Sequence, residues 1–373
     1  METLDFAALL ADRANAIESS GIRKVFDLAA RLKDPINFSI GQPDFDVPES
    51  VKQAAIRAIE QGRNRYTPTQ GIEPLRAAVA TKLQEKNRVS VGVDEVLITS
   101  GSSGGIFLAY ASLLNPGDEL IVPDPYFVMY PQLAAFFGAK PVFVDTYPDF
   151  RLDPDRLAAA ITPRTKAIML NSPTNPTGAV IPEATLREIA RVADRHGLLV
   201  ISDEVYEAFV YGGARHFSIG SVYPSTLTLN ALSKSHSATG WRIGYAAGPR
   251  PLIDKMKELQ QYTFVCAPSF AQEAALVAMG VGIADEVAAY QRRRDVVYEG
   301  LRQRFEVVKP EGAFYIMPKV DSRDSRAFVE KAIANNVLII PGDVFSRKGT
   351  HIRMSYAIPE ERIRQGIEIL TRL

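Results

Sequence analysis

Lys234 lies in the run Asn230-Ala231-Leu232-Ser233-Lys234-Ser235-His236-Ser237-Ala238-Thr239-Gly240-Trp241-Arg242, just after a β-type stretch from Thr226 to Leu229. An amine at the end of a strand can condense with a carbonyl to a Schiff base, and a guanidinium eight residues on can hold a phosphate. A lysine between serines is equally a solvated loop charge when nothing else answers to it, so the reading depends on the rest of the chain.

Several other segments answer. Ser100-Gly101-Ser102-Ser103-Gly104-Gly105 resembles a nest of backbone N–H groups opening a helix. Such a nest suits a phosphate dianion, with the Ser102 and Ser103 hydroxyls as further donors; an ordinary flexible turn has the same composition, and Arg242 as a second phosphate ligand shifts the balance. Asp203 follows the apolar run Leu198 to Ile201, which predicts a partly buried carboxylate in need of a cation. A protonated ring nitrogen would serve, as would a structural salt bridge or a helix-cap role. Tyr206, three residues on, is either a core aromatic or a hydroxyl aimed at a phenolic oxygen.

Tyr126, among Pro123, Pro125 and Pro131, could present a flat face to a heteroaromatic ring or simply pack its loop. Asn175 sits in Pro173-Thr174-Asn175-Pro176-Thr177-Gly178, where Pro176 biases it toward an extended backbone and so aims an amide rigidly. Arg353, in His351-Ile352-Arg353-Met354-Ser355-Tyr356, alternates with apolar neighbours. It is a solvent-facing strand arginine or a two-point grip on a carboxylate.

The elements that must position these groups read as α/β. Short apolar runs at Val96 to Thr99, Leu120 to Val122, Ala167 to Leu170, Leu198 to Ile201 and Thr226 to Leu229 alternate with helical spacing, as at Val51, Ala54, Ala55, Ala58 and Ile59, and at Leu186, Ile189, Ala190 and Ala193. That alternation predicts an open, mostly parallel sheet between helices, with ligands bound beyond the carboxyl ends of its strands. The residues above follow five such ends. From about Pro268 the pattern turns to a long amphipathic helix, short strands at Ala313 to Met317, Val337 to Ile340 and Ile352 to Ser355, and a last helix from Pro359.

At 373 residues two domains are expected. The 43 basic and 43 acidic residues cancel without a long run of one sign, which predicts neither nucleic-acid nor membrane attraction. A single cysteine, Cys266, offers no intrachain disulfide and no metal-ligand cluster, so no metal is expected. With no secretory start and no long apolar window, a soluble cytoplasmic protein is expected.

Taken together these strings resemble the fold-type I pyridoxal 5'-phosphate enzymes, specifically the class I/II aminotransferases. The likeness runs from Gly41-Gln42-Pro43-Asp44-Phe45 through Tyr66-Thr67-Pro68, the Asn175 string, Asp203 with Tyr206, and Ser233-Lys234 with Thr239-Gly240-Trp241-Arg242-Ile243-Gly244, to Arg353-Met354-Ser355. The resemblance implies a three-layer α/β/α large domain over 46–280, a small C-terminal α/β domain over 281–373, and an N-terminal helix and arm over 1–45 packing on the latter. It also implies transfer of an amino group from an amino acid to a 2-oxo acid, with Lys234 carrying the cofactor as a Schiff base and then shuttling a proton. Arg242, Gly101, Ser102 and Ser103 would hold the phosphate, Asp203 the ring nitrogen, and Tyr206 and Asn175 the phenolic oxygen. Tyr126 would stack on the ring. Arg353, with Asn175 and the Gly41 backbone, would bind the substrate carboxylate, and Tyr66 would reach the neighbouring subunit's phosphate in a homodimer with shared sites.

Two positions depart from common family patterns. Ala231 stands where some members carry a phosphate-binding hydroxyl, with Ser233 as a substitute. Ser103 stands where one aspartate-specific subgroup carries a lysine. With neutral or aromatic residues such as Phe26 and Phe345 near the loops Ile17 to Val25 and Val344 to Lys348, a neutral or aromatic donor is preferred over aspartate and 2-oxoglutarate is the expected acceptor, although Arg23 and Lys24 could serve an acidic donor. The rival readings are a carbon-sulfur β-lyase on the same cofactor and a non-catalytic cofactor-sensing regulator, for which the ~40 residues ahead of the first sheet motif are too few to add a DNA-binding module.

Overall fold

The computed structural model describes residues 5–17, 21, 32–320 and 324–373. Part of the arm expected over 1–45, and most of the 17–25 loop with Arg23, Lys24 and Phe26, lie outside the described residues. In chain order the strands are β1 (Ile36–Asn37), β2 (Val96–Thr99), β3 (Glu119–Asp124), β4 (Lys140–Asp145), β5 (Thr165–Asn171), β6 (Leu199–Asp203), β7 (Thr226–Ala231), β8 (Gly244–Ala247), β9 (Tyr315–Ile316), β10 (Val337–Leu338), β11 (Ile340–Pro341) and β12 (Ile352–Ser355).

Seven strands form one sheet in the order β2-β8-β7-β6-β5-β3-β4. Only β8 runs against the others, since it pairs antiparallel with both β2 and β7. The remaining six therefore bring their carboxyl ends to one edge. The central strands are buried along their length because helices cover both faces. One face packs on helices Gly101–Leu113 and Arg250–Tyr262 through Ile106, Leu108, Ala109, Ile253 and Met256. The other packs on helix Glu183–His196 through Leu186, Ile189 and Ala193. The result is the expected three-layer α/β/α body on a mostly parallel sheet.

Two strands of the seven-stranded sheet were not anticipated, nor was β1 outside it. β4 is an edge strand bounded by Lys140 and Asp145 and interrupted by Pro141, which masks its alternation. β8 is a four-residue run of small residues and one tyrosine, Gly244-Tyr245-Ala246-Ala247, too short and too bland to announce itself.

A second core gathers Phe305, Phe314, Tyr315, Val337, Ile352, Met354 and Ile363 among β9, β12 and the helices Ala284–Leu301 and Glu360–Arg372. The long helix expected from Pro268 is two, Ser269–Ala278 and Ala284–Leu301, with Gly280 and Gly282 in the break. The strand expected at Val337 to Ile340 is likewise divided. β10 pairs in parallel with β1, while β11 joins β12 and β9 in a separate three-stranded sheet. Val205, Tyr206 and Phe209, which follow β6 of the large sheet, are embedded in this second core. The carboxyl end of β6 is thus where the two cores meet. Among the described residues no helix is long and apolar enough to cross a membrane.

Candidate active site

At that meeting point a cavity of about 320 Å³ is lined by Gly41, Ser102, Ser103, Phe127, Tyr130, Asn175, Asp203, Tyr206, Ser233, Lys234, Arg242 and Arg353, among others. β7 ends at Ala231, and a single helical turn, Leu232–Ser235, swings Lys234 into the cavity. Its Nζ donates to the Gly41 carbonyl at 2.6 Å. Burial, then the Arg353 charge, and to a lesser degree Arg242 lower this amine to about 8, against the opposing pull of Asp203. Of the two guanidinium charges, Arg353 on β12 has the larger effect, although Arg242 is the nearer in sequence.

Asp203 closes β6 and is 3% exposed. It accepts a hydrogen bond from the Tyr130 hydroxyl at 2.8 Å and a longer one, 3.3 Å, from the Val205 amide. Among the described residues no cation pairs with it. Burial pushes its carboxyl up to about 6, with the Tyr130 and Val205 hydrogen bonds pulling the other way. A buried acid in this state would be stabilised by a proton-bearing cationic nitrogen at its free side.

The helix that follows β2 begins at Gly101, and Arg242 folds against that first turn. Its Nη1 donates to the Thr239 carbonyl at 2.9 Å and its Nη2 lies 3.5 Å from the Ser100 carbonyl. Gly101 has φ +66°, and a Cβ there would sit 2.7 Å from the arginine Nη2, so both the turn and the approach require glycine. Ser102, Ser103 and Ser233 line the same end of the cavity. Helix N-terminus, hydroxyls and a guanidinium with no acidic partner among the described residues could together hold a phosphate. Ala231, the missing hydroxyl, has its methyl in the second core.

Across the cavity Arg353 is 1% exposed on β12. It is not the solvent-facing strand arginine that alternation alone allowed. Its Nη2 donates to the Ser39 carbonyl at 2.6 Å, its Nη1 lies 3.4 Å from Asn175 Oδ1, and its Nε has no partner among the described residues. The guanidinium is held over the rings of Phe345 and Tyr315, 4.4 and 4.9 Å from their centroids. Among the described residues it has no carboxylate, so it could receive one from a ligand. Gly41 sits close by, where an added Cβ would meet the Tyr315 hydroxyl at 2.7 Å.

Tyr206 exchanges a 2.9 Å hydrogen bond with Tyr315, and Asn175 is placed by its own amide donating to Asn171 Oδ1 at 2.8 Å. The side-chain amide of Asn171 in turn donates to the Asp203 carbonyl at 2.9 Å, which ties the proline-flanked loop to the acid. Two expected residues are elsewhere. Tyr126 packs on Phe143, with centroids 4.9 Å apart, and lines only an adjoining cavity of about 30 Å³, whereas Phe127, one residue later, lines both that cavity and the site. Tyr66 lies outside the cavity and is 85% exposed. Tyr130, Phe127, Asn171 and Tyr315 were not singled out. Asn171 stood between the run ending at Leu170 and the string starting at Pro173, while Tyr130 and Tyr315 carried no local signal, being aromatics in apolar surroundings.

A family model described as aminotransferase class I and II matches residues 33–370. The chain belongs to this family. The aspartate/prephenate aminotransferase of Thermus thermophilus is 41% identical over 364 residues, 94% of each chain. The aromatic-amino-acid aminotransferase 2 of Thermococcus litoralis is 37% identical over 380 residues, 98% of each chain. The structure of aspartate aminotransferase from Thermus thermophilus with maleate matches at a TM-score of 0.93 and 40% identity, over 97% of this chain and 99% of that one. This aminotransferase therefore has the fold-type I architecture and uses pyridoxal 5'-phosphate. Its cavity fits that group: an uncompensated acid, an anion cradle and an amine of lowered basicity surround one space.

The buried acid has a cost in the cofactor-free protein. Because its folded value is raised from 3.8 to about 6, Asp203 stabilises the fold least above pH 6, and the loss develops as pH rises through that window. Asp203→Asn in cofactor-free protein should therefore be more stable than the parent at pH 7 by roughly 2–3 kcal/mol, the gain vanishing below pH 4. Urea unfolding at both pH values measures this; an equal or lower stability at pH 7 would count against an unpaired buried charge.

Proposed function

We propose that this aminotransferase moves the α-amino group of a neutral or aromatic amino acid to 2-oxoglutarate, with the lining residues in the following roles. When bound, pyridoxal 5'-phosphate supplies the carbonyl that reacts with amines and the ring that accepts an electron pair. Lys234, neutral in a substantial fraction near its lowered value of about 8, tethers that carbonyl and afterwards carries the proton to and from the substrate Cα. Asp203 holds a proton on the ring nitrogen, and Tyr130 orients the acid. Tyr206 and the Asn175 amide would donate toward the phenolic oxygen, Phe127 would pack on the ring, and Arg242 with Gly101, Ser102, Ser103 and Ser233 would hold the phosphate. Arg353 grips the α-carboxylate that every donor and acceptor shares.

The single observation that carries this reading is the set of charges around one cavity that have no ionic partners among the described residues. Lys234, Arg242 and Arg353 are thereby committed to tether, phosphate and α-carboxylate. No fourth cation remains in the described lining to single out an acidic donor, and Ser103 supplies none; the second carboxylate of 2-oxoglutarate would draw on groups outside that lining. The names of the relatives run mostly to aspartate, with others to aromatic amino acids and to N-acetyl-LL-diaminopimelate, so the neutral or aromatic reading rests on the lining alone. We also propose a homodimer. Ile56, Ile59, Tyr66, Tyr262, Phe264, Val265 and Val277 expose apolar surface on and beside helices Glu49–Glu60 and Ser269–Ala278, and Tyr66 would reach the neighbouring phosphate from that face.

Lys234→Ala should abolish turnover and leave no borohydride-fixed adduct on the chain, as read by mass spectrometry; transfer at the parental rate would remove the lysine from the mechanism. Arg353→Leu should raise KM for every amino acid alike, by a factor equivalent to roughly 2 to 4 kcal/mol, in a panel of twenty donors against 2-oxoglutarate and pyruvate. The same panel on the parent enzyme should favour neutral or aromatic donors, and a preference for aspartate would overturn the donor assignment. Sedimentation should return the mass of two chains, and the mass of one would refute the shared site.

A further inference from the structure

The turn after β6 has a second face. Asp203 and Tyr206 point into the cavity, while Glu204 and Glu207, each one residue on, point away from it into a network of their own. Glu207 accepts hydrogen bonds from the Lys82 ammonium, from Asn230 Nδ2 at 2.7 Å and from Asn87 Nδ2 at 2.8 Å. Lys82 also reaches the Tyr245 hydroxyl at 3.2 Å. Asn230 and Tyr245 are register partners on β7 and β8, and Asn230 Oδ1 accepts from the Ala231 amide at 2.7 Å. Glu204, 1% exposed, accepts from Ser202 and Ser218 at 2.9 and 2.7 Å and meets His216 Nε2 at 3.0 Å.

Glu204, Glu207 and His216 lie close enough to hold a metal ion, with ligand atoms within 4.8 Å of one another. The Lys82 ammonium already supplies a cation there. Burial raises Glu207, but the charges of Lys82 and His216 and the hydrogen bonds of Asn87 and Lys82 outweigh it and hold the carboxyl below its ordinary value. His216 is lowered by burial and raised by Glu204 and Glu207 to a net increase. The cluster is a compensated ionic network rather than a vacant ligand set.

Buried ion pairs add little net stability over apolar residues of the same volume, but their hydrogen bonds are directional and fix geometry. Glu207 joins the turn carrying Asp203 and Tyr206 to Asn230, four residues before Lys234. We propose that Glu207, anchored by Lys82, is a positioning residue that sets the spacing between the Asp203–Tyr206 turn and the strand that presents Lys234. This rests on the roles given to Lys234 and Asp203 above. Loosening that joint would let acid and amine drift apart, and misplacement of about 1 Å can reduce turnover as much as ~100-fold.

The test is E207Q in the holoenzyme, with Asn230→Ala as a second variant that cuts the tie to β7 and leaves the Lys82–Glu207 pair in place. Both should shift the pH midpoint of the cofactor's visible band by at least about half a unit and lower kcat about tenfold, with KM for the amino acid within about twofold. The cofactor-free variants should bind pyridoxal 5'-phosphate about tenfold more weakly by fluorescence titration. E207D, which keeps the charge, should recover part of each effect. If E207Q does not fold, Asn230→Ala carries the same expectation. An unmoved midpoint and unchanged kcat in the folded variants, with only a lower melting temperature, would overturn the proposal. A parent enzyme with no lysine-linked visible band would instead overturn the site roles on which it rests.

Discussion

The arrangement depends on one constraint: a carboxylate buried at the end of a central strand with no cation paired to it among the described residues. The Tyr130 hydroxyl and one backbone amide are the hydrogen-bond donors to Asp203, and its raised affinity for a proton expresses the missing charge. Such a group is held only because the strands on either side of β6 and the second core beyond it leave the chain no other course. The destabilised acid and the binding of a protonated ring are then two aspects of one free energy. What the cofactor-free fold loses, the loaded protein recovers.

The same logic extends around the cavity. Arg353 lies between rings on a strand of the smaller core, Arg242 against the first turn of a helix, and Lys234 between the two guanidinium charges that lower its basicity. Each element brings one charge to the cavity and leaves it without an ionic partner of opposite sign among the described residues. Converging like charges would repel an unliganded cation, but they suit a ligand with a phosphate at one end, a carboxylate at the other and an electrophilic carbon between. The positions of these charges come from both cores, so the spacing between the cores sets the geometry of the site.

On the far side of the same turn, charges are compensated instead. Glu204 and Glu207 meet His216, Lys82, Asn87 and Asn230. A five-residue segment thus presents incomplete pairing to the ligand and complete pairing to the scaffold. Asp203 and Glu204 part to opposite sides where β6 ends, and the three-residue spacing of the turn that follows returns Tyr206 to the side of the first and Glu207 to the side of the second.

The sequence determined the alternation of strands and helices, because apolar periodicity is local, and it nominated Lys234, Asp203, Asn175, Arg242 and Arg353 through the ordered resemblance of their strings to a family, since each string alone had a bland alternative. Only the tertiary structure decided which of two adjacent aromatics, Tyr126 or Phe127, meets the cavity, since a proline-rich loop has no period from which a side chain's direction can be read. The same holds for Tyr130, 73 residues from the acid it serves, for the reversed strand β8, and for the buried state of Arg353, which alternation on a strand leaves undecided until the opposing core is in place. Local pattern fixes what an element is. The facing of side chains at its ends is fixed by contacts between residues far apart in the chain.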